Sequence, residues 1–150
     1  MKKNVIILFL LFLFSLSVFA LDGPDIRVQT VLNQLGYSYD IDSDYDYRLI
    51  LDVGSGRTQL VFLNSSTNVS RGQEIREIWS MATKYADFIP QQAAQKVLLD
   101  SFDKIIGSWY AIETGESYII AFCAKIPAES SSDYVNAAIQ AIARGADSME

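Results

Sequence analysis

The sequence of 150 residues contains no histidine and a single cysteine, Cys123. Ser-His and Cys-His catalytic dyads and most zinc sites need an imidazole, so the missing histidine excludes them. The single cysteine excludes an internal disulfide, and its apolar, strand-like surroundings are typical of a buried, unreactive thiol. Catalysis by carboxylates alone needs two acids converging in one pocket, which nothing in their spacing indicates. We therefore predict no enzyme, no catalytic residue and no cofactor.

Basic residues are also few, and two of the twelve, Lys2 and Lys3, belong to the N-terminal segment. This segment has the pattern of a bacterial signal peptide: a basic start, an apolar run over residues 5–14 and a Val18-Phe19-Ala20 end. We predict that residues 1–20 are removed by cleavage after Ala20, which gives a periplasmic or secreted protein. An uncleaved membrane anchor is the alternative, since residues 4–21 are long enough to span a bilayer.

Residues 21–150 carry 10 basic and 18 acidic side chains, a net charge of −8. An acidic chain without a basic stripe repels nucleic acid, so we exclude that class of partner, and we expect no membrane association after cleavage. Neither an internal repeat nor a dividing linker is present. The length suits a single domain, residues 21–150, with one hydrophobic core.

Three amphipathic segments predict helices. The first covers residues 26–35 and ends at Gly36, and the last begins near residues 131–133 and ends near Gly145. The middle segment, residues 90–107, has apolar side chains at three- and four-residue steps, and we expect it to be the helix around which the chain is organised. The face that this pattern predicts to be buried consists of Ala94, Val97, Leu98, Ser101, Phe102, Ile105 and Ile106.

Alternating apolar and polar residues predict strands, and glycine-containing turns separate them. The predicted strands cover residues 37–41, 45–53, 57–63, 74–83, 109–113 and 117–126. The polar stretch 64–72 is predicted to be a loop. Because the strands come in hairpins, we predict an α+β fold: a mainly antiparallel sheet with three helices, in the order helix, strands, helix, hairpin, helix. Core packing is the expected role of the strand aromatics Trp79, Trp109, Tyr110 and Phe122.

A calcium-binding site is one interpretation of four aspartates at alternate positions, Asp40, Asp42, Asp44 and Asp46. The spacing fails the EF-hand pattern, because Tyr45 stands where a glycine is required and Leu51 where a glutamate is required. We interpret the cluster as a solvated acidic turn and predict no metal ligand, with ion binding by the four aspartates as the alternative.

The run Leu51-Asp52-Val53-Gly54-Ser55-Gly56-Arg57-Thr58 resembles the first phosphate loop of actin-like ATPases and sugar kinases. That fold needs two large domains, which the chain is too short to form. The run also lacks the Gly-Lys-Ser/Thr of a Walker A loop. We interpret its glycines as a hairpin turn.

With its elements in this order, the chain resembles the YbjN family, whose domain is similar to type III secretion chaperones. The features that carry the resemblance are Asn33-Gln34-Leu35-Gly36-Tyr37, the acidic turn before Tyr47-Arg48-Leu49, the helix over residues 93–106, the hairpin over 109–122 and the helix over 134–143. The resemblance implies a secretion-chaperone-like binding fold and no catalytic residue. The related chaperones are acidic dimers that bind unfolded segments of secreted proteins. The export signal departs from typical members, which act in the cytoplasm.

We therefore expect an exported, non-enzymatic protein-binding or chaperone-like domain. Its expected partner is another protein, with a second copy of the chain, in a homodimer, as a further partner. The alternative is a small-ligand or metal-binding periplasmic module that uses the acidic turn or a sheet-lined pocket.

Overall fold

The computed structural model describes residues 23–115 and 117–149. The predicted signal peptide, its cleavage site and the alternative membrane anchor lie outside these residues. Among the described residues, no helix combines the length and hydropathy needed to cross a membrane. The elements are α1 (Ile26–Leu35), β1 (Asp40–Ile41), β2 (Tyr47–Gly54), β3 (Arg57–Ser70), β4 (Gln73–Tyr85), α2 (Gln91–Phe102), β5 (Ser108–Glu113), β6 (Tyr118–Pro127) and α3 (Ser132–Asp147).

The strands of the described residues form one sheet in the order β1-β2-β3-β4-β6-β5, and every neighbouring pair is antiparallel. The predicted α+β class with three helices on a sheet of hairpins is therefore confirmed. At the β2–β3 turn, Gly54, Ser55 and Gly56 all have positive φ angles, of 97°, 57° and 73°. Glycine adopts this conformation without strain, which explains the two glycines in the run that resembles a phosphate loop.

Helix α3 crosses one face of the sheet and forms the centre of the core. Its buried residues are Val135, Ala138, Ile139, Ile142, Ala143, Gly145 and Ala146. Gly145 lies against Phe122 of β6, where an added Cβ would be 2.3 Å from the Phe122 ring. Only glycine lets the helix approach the sheet this closely. Helix α1 packs beside α3 and buries Val28 and Leu32, so these two helices cover most of the inner sheet face.

Helix α2 is not the element around which the chain is organised, and this prediction was wrong. The helix ends at Phe102, five residues before Gly107, and Val97 is its buried residue. Leu98, Phe102 and Ile105, which the periodicity predicts to be buried, are exposed. The physical reason is position: α3 and α1 already cover the inner face of the sheet, so α2 reaches only β5 at the edge.

The stretch 64–72, predicted to be a loop, belongs largely to β3. This strand continues to Ser70, and the hairpin turns at Arg71 and Gly72, which both have positive φ. The register between β3 and β4 shifts between Leu63 and Thr67, where β3 contains extra residues. This outer part of the hairpin consists of polar residues because both of its faces are largely exposed to solvent.

Candidate functional site

The acidic turn uses its carboxylates to shape its own backbone. Asp42 Oδ1 accepts hydrogen bonds from the backbone N–H groups of Asp44 and Asp46, both at 3.0 Å. Asp46 Oδ1 accepts from Ser65 N–H at 2.7 Å, and burial, followed by the charges of Asp42 and Asp44, raises the pKa of Asp46. Among the residues described, no group of three acidic or cysteine side chains is placed to hold a metal ion. The hydrogen bonds of Asp42 and Asp46 support a structural role for these two carboxylates.

The run resembling a phosphate loop forms the β2–β3 turn, as the hairpin interpretation predicts. Asp52 Oδ1 accepts a hydrogen bond from Gly54 N–H at 2.7 Å, which fixes the turn. Arg57, directly after it, forms an ion pair of 2.7 Å with Asp147 at the end of α3. These contacts stabilise the chain reversal within one sheet.

Cys123 is buried on β6, as predicted. Burial, with a smaller contribution from the charge of Glu77, raises the pKa of its thiol to about 12. The thiol therefore stays protonated near neutral pH and is a poor nucleophile.

A buried ion pair joins Asp25, at the start of α1, to Arg76 on β4. Both side chains are almost fully buried, and Arg76 NH2 lies 2.5 Å from Asp25 Oδ2. Arg76 also donates to the carbonyl oxygens of Asn64 and Ser65, where β3 leaves its regular register. The guanidinium thus compensates for missing strand hydrogen bonds and ties α1 to the sheet.

Arg27 binds the same carboxylate from the solvent side. It forms ion pairs with Asp25 at 2.7 Å, Glu74 at 2.7 Å and Glu129 at 2.6 Å. Burial alone would raise the pKa of Asp25, but the hydrogen bonds from Arg27 and Arg76 outweigh it and hold that pKa well below its usual range. Each charge has a protein partner, so this cluster is an anchor and not a binding site. The sequence offers no signal for a pairing across 51 residues.

Helix α2 and the residues after it expose a set of large apolar side chains. Their exposed fractions are 70% for Leu98, 74% for Leu99, 89% for Phe102 and 100% for Ile105. Phe102 lies four residues after Leu98 and three after Leu99, which places it next to both of them on the helix surface. We call these four residues the α2 surface. Grouped exposed apolar side chains of this size mark interaction sites more often than isolated ones do.

The opposite side of α2 is held against the edge strand β5. Trp109 Nε1–H donates to Asp100 at 2.7 Å, and Trp109 N–H donates to Ser101 Oγ at 3.0 Å. Burial would raise the pKa of Asp100, but the hydrogen bonds from Trp109 and Lys104 lower it overall. No described strand pairs with the outer edge of β5, where Ala111 and Glu113 are exposed. The α2 surface is therefore displayed beside a free strand edge.

The outer face of the sheet, opposite α3, is a second apolar surface. Its largely apolar side chains are Ile50, Leu60, Phe62, Trp79, Met81, Tyr110, Ile112 and Ile119. The rings of Phe62 and Trp79 stack with centroids 4.4 Å apart. Trp109 and Phe122 lie in the core as predicted, whereas Trp79 and Tyr110 lie only partly buried on this outer face, because β-strand side chains alternate between faces.

The chain is similar in structure to YbjN from E. coli, which its crystal structure describes as a proposed transcription regulator. The two have 8% sequence identity and a TM-score of 0.44, over 81% of this chain and 89% of that one. This comparison assigns no function to the chain. No protein-family model and no curated protein matches the sequence.

Proposed function

We propose that this protein is an exported, non-enzymatic domain that binds another protein in the periplasm or outside the cell. The observation that carries the proposal is the α2 surface, where four large apolar side chains are 70% to 100% exposed. In this proposal the signal peptide is removed after Ala20, and the acidic domain that follows acts as a chaperone-like binding module.

The α2 surface can supply the free energy of a specific complex. Full burial of a large apolar side chain is worth about 1.5–3 kcal/mol, so four of them contribute roughly 6–12 kcal/mol before the costs of association. A micromolar dissociation constant corresponds to about 8 kcal/mol. Association itself costs about 4–15 kcal/mol, so binding in this range also needs the partner to bury apolar side chains of its own against the α2 surface.

A second copy of the chain is a further partner that the geometry suits. A two-fold contact would place one α2 surface on another, with the free edges of β5 side by side. In an antiparallel pairing of two α2 helices about Leu99, Lys96 of one copy would lie near Asp103 of the other. Because each domain carries a charge of −8, added salt should strengthen such a dimer by screening the repulsion.

The test is photo-crosslinking in cells that express the full-length chain with a C-terminal tag. A photoreactive amino acid replaces Leu98 on the α2 surface, and the matched control replaces Gln92, an exposed polar residue of the same helix. We expect a protein adduct from position 98 and none from position 92. Mass spectrometry of the adduct distinguishes a second copy from another protein. Equal crosslinking from both positions, or none from position 98, would contradict the proposal.

The same preparation tests export. A purified chain that starts at Leu21 supports signal-peptide cleavage and a periplasmic or secreted location. An intact N-terminus together with recovery in the membrane fraction would support the anchored alternative.

A further inference from the structure

Strands β3 and β4 separate at one end, which leaves a notch in the sheet. Their residue pairing stops at Phe62 and Trp79, although β3 continues to pair with β2 and β4 with β6. The buried side chain of Gln59 crosses the notch, donating to Ser80 Oγ at 2.9 Å and to Met81 O at 2.8 Å. Ser80 Oγ donates in turn to Leu60 O at 2.6 Å. The inner side of the notch is thus closed by satisfied polar groups, and the outer side stays open.

A cleft of about 310 Å³ lies on the outer side of this notch. Its lining is mainly apolar and comes from Thr58, Gln59, Leu60, Phe62, Trp79, Met81 and Ile119. The stacked rings of Phe62 and Trp79 form one wall. The volume is at the lower end of the range for small-molecule sites, so the cleft suits a single ring or a medium-length alkyl chain.

Two cationic side chains lie one strand away from the lining of the cleft, each opposite a lining residue, and neither forms an ion pair with a carboxylate among the described residues. Arg48 is the cross-strand neighbour of Phe62, and its Nε atom is buried without a hydrogen-bond partner in this part of the chain. Lys84 is exposed and is the cross-strand neighbour of Ile119. Two acids lie nearby: Asp40 of β1 is the other cross-strand neighbour of Arg48 but forms no ion pair with it among the described residues, and Asp52 has one carboxylate oxygen occupied by Gly54 N–H. A ligand in an open cleft cannot reach this buried Nε atom, so the donors that Arg48 offers are its two terminal nitrogens, which belong to a half-buried side chain and make no hydrogen bond among the described residues.

We propose that this cleft binds a small amphipathic carboxylic acid. Its apolar body lies against Phe62, Trp79 and Met81, and its carboxylate accepts hydrogen bonds from Arg48. The guanidinium is the side chain best shaped for a carboxylate, since it offers parallel N–H donors to both oxygens. In a domain, residues 21–150, of net charge −8, these two cations near an apolar cleft give the site its preference for an anion. The site is separate from the α2 surface, so this inference stands or falls independently of the proposed function.

The probe is decanoate, titrated into the ¹⁵N-labelled protein and followed by NMR. The chain contains two tryptophans, and their indole N–H groups report on different places. The Trp79 ring lines the cleft and its Nε1–H donates to Asn64, whereas Trp109 Nε1–H donates to Asp100 under α2. We expect decanoate to shift the Trp79 indole signal in a saturable way and to leave the Trp109 signal in place.

Two variants and one matched molecule complete the test. Arg48→Gln should weaken decanoate binding about tenfold, and Met81→Glu, which adds a negative charge at the cleft, should weaken it at least as much. Decanol, which has the same chain without the charge, should bind the unchanged protein about as weakly as decanoate binds Arg48→Gln. An unmoved Trp109 signal shows that each variant is folded. A Trp79 signal that does not respond to decanoate, or equal affinity for decanol and decanoate, would overturn the proposal.

Discussion

Helices α2 and α3 both carry apolar residues at three- and four-residue steps, more sharply segregated to one face in α3, and only the apolar face of α3 is buried. α3 lies across β2, β3, β4 and β6 and buries seven residues, whereas α2 lies beside β5 alone and buries Val97. Periodicity shows which face of a helix is apolar, but the space left on the sheet decides whether that face is covered. Where the space is already taken, the same pattern produces an exposed surface that is available to a partner.

The two helices also differ in the size of the side chains on their apolar faces. α3 places Ala138, Ala143, Gly145 and Ala146 against the sheet, and these small residues let its axis come close to β6. α2 carries Leu98, Leu99 and Phe102, which stand out from the helix. α3 also buries Ile139 and Ile142, so its small residues set its distance from the sheet while its large ones fill the core.

The largest expected effect concerns the buried Asp25–Arg76 ion pair, which holds α1 against the sheet. Asp25→Asn leaves Arg76 buried without its charge partner, and we expect a loss of about 3–5 kcal/mol in the free energy of unfolding, measured in urea. The pKa of Asp25 is lowered in the folded state, so its contribution is complete above the unfolded pKa of about 3.9 and is lost as pH falls below that value. The variant should lack this acid-dependent loss.

Asp44→Asn, at an exposed aspartate whose side chain makes no hydrogen bond within the described residues, is the control and should change stability by less than about 0.5 kcal/mol. If both variants lost the same free energy of unfolding, the Asp25–Arg76 ion pair would not be what stabilises the packing of α1 on the sheet.

A smaller effect tests the buried helix itself. Ile139 of α3 is fully buried, so Ile139→Ala removes apolar contacts and leaves a cavity. We expect a loss of about 2–5 kcal/mol in the same urea experiment. The neighbouring exposed position supplies the comparison, since Ala137→Ser on the outer side of α3 should cost far less. A loss below about 1 kcal/mol at Ile139 would show that α3 is not the centre of the core.

The smallest effect belongs to α2. Leu98→Ala removes a side chain that is mostly in solvent, and we expect the free energy of unfolding to change by less than about 0.5 kcal/mol. The measurement is made at a protein concentration low enough for the monomer, and the small change at Leu98 would then contrast with the large loss expected for Ile139→Ala. A loss comparable to that at Ile139 would mean that the α2 surface is covered in the folded chain, and the comparison between the two helices would fail.

The sequence predicts most of the fold because its local signals agree. Gly36 ends α1 in a left-handed conformation, Ser131 caps α3, and the glycines after β2 form the expected turn. The end of α2 was predicted less well. Gly107 has a positive φ, but it belongs to the turn before β5, and the helix has already ended at Phe102.

The candidate sites could be predicted only in part. The acidic turn is visible as a local pattern, whereas the Asp25–Arg76 pair and the cleft beside Trp79 depend on register shifts between strands. A bulge moves every later side chain of a strand relative to its partner, and residue type alone does not mark where it occurs. The same limit applies to the α2 surface, whose exposure follows from the position of α3.

The buried thiol of Cys123 also makes motion within the folded protein measurable. It lies on β6 opposite Trp79 of β4, and near neutral pH its protonated state and its burial both protect it from reagents. Because directly opposite residues share a face, the thiol lies on the outer face of the sheet, and a reagent can reach it only when the side chains that cover it there move aside. The rate of labelling at this single position therefore measures how often this part of the outer face opens.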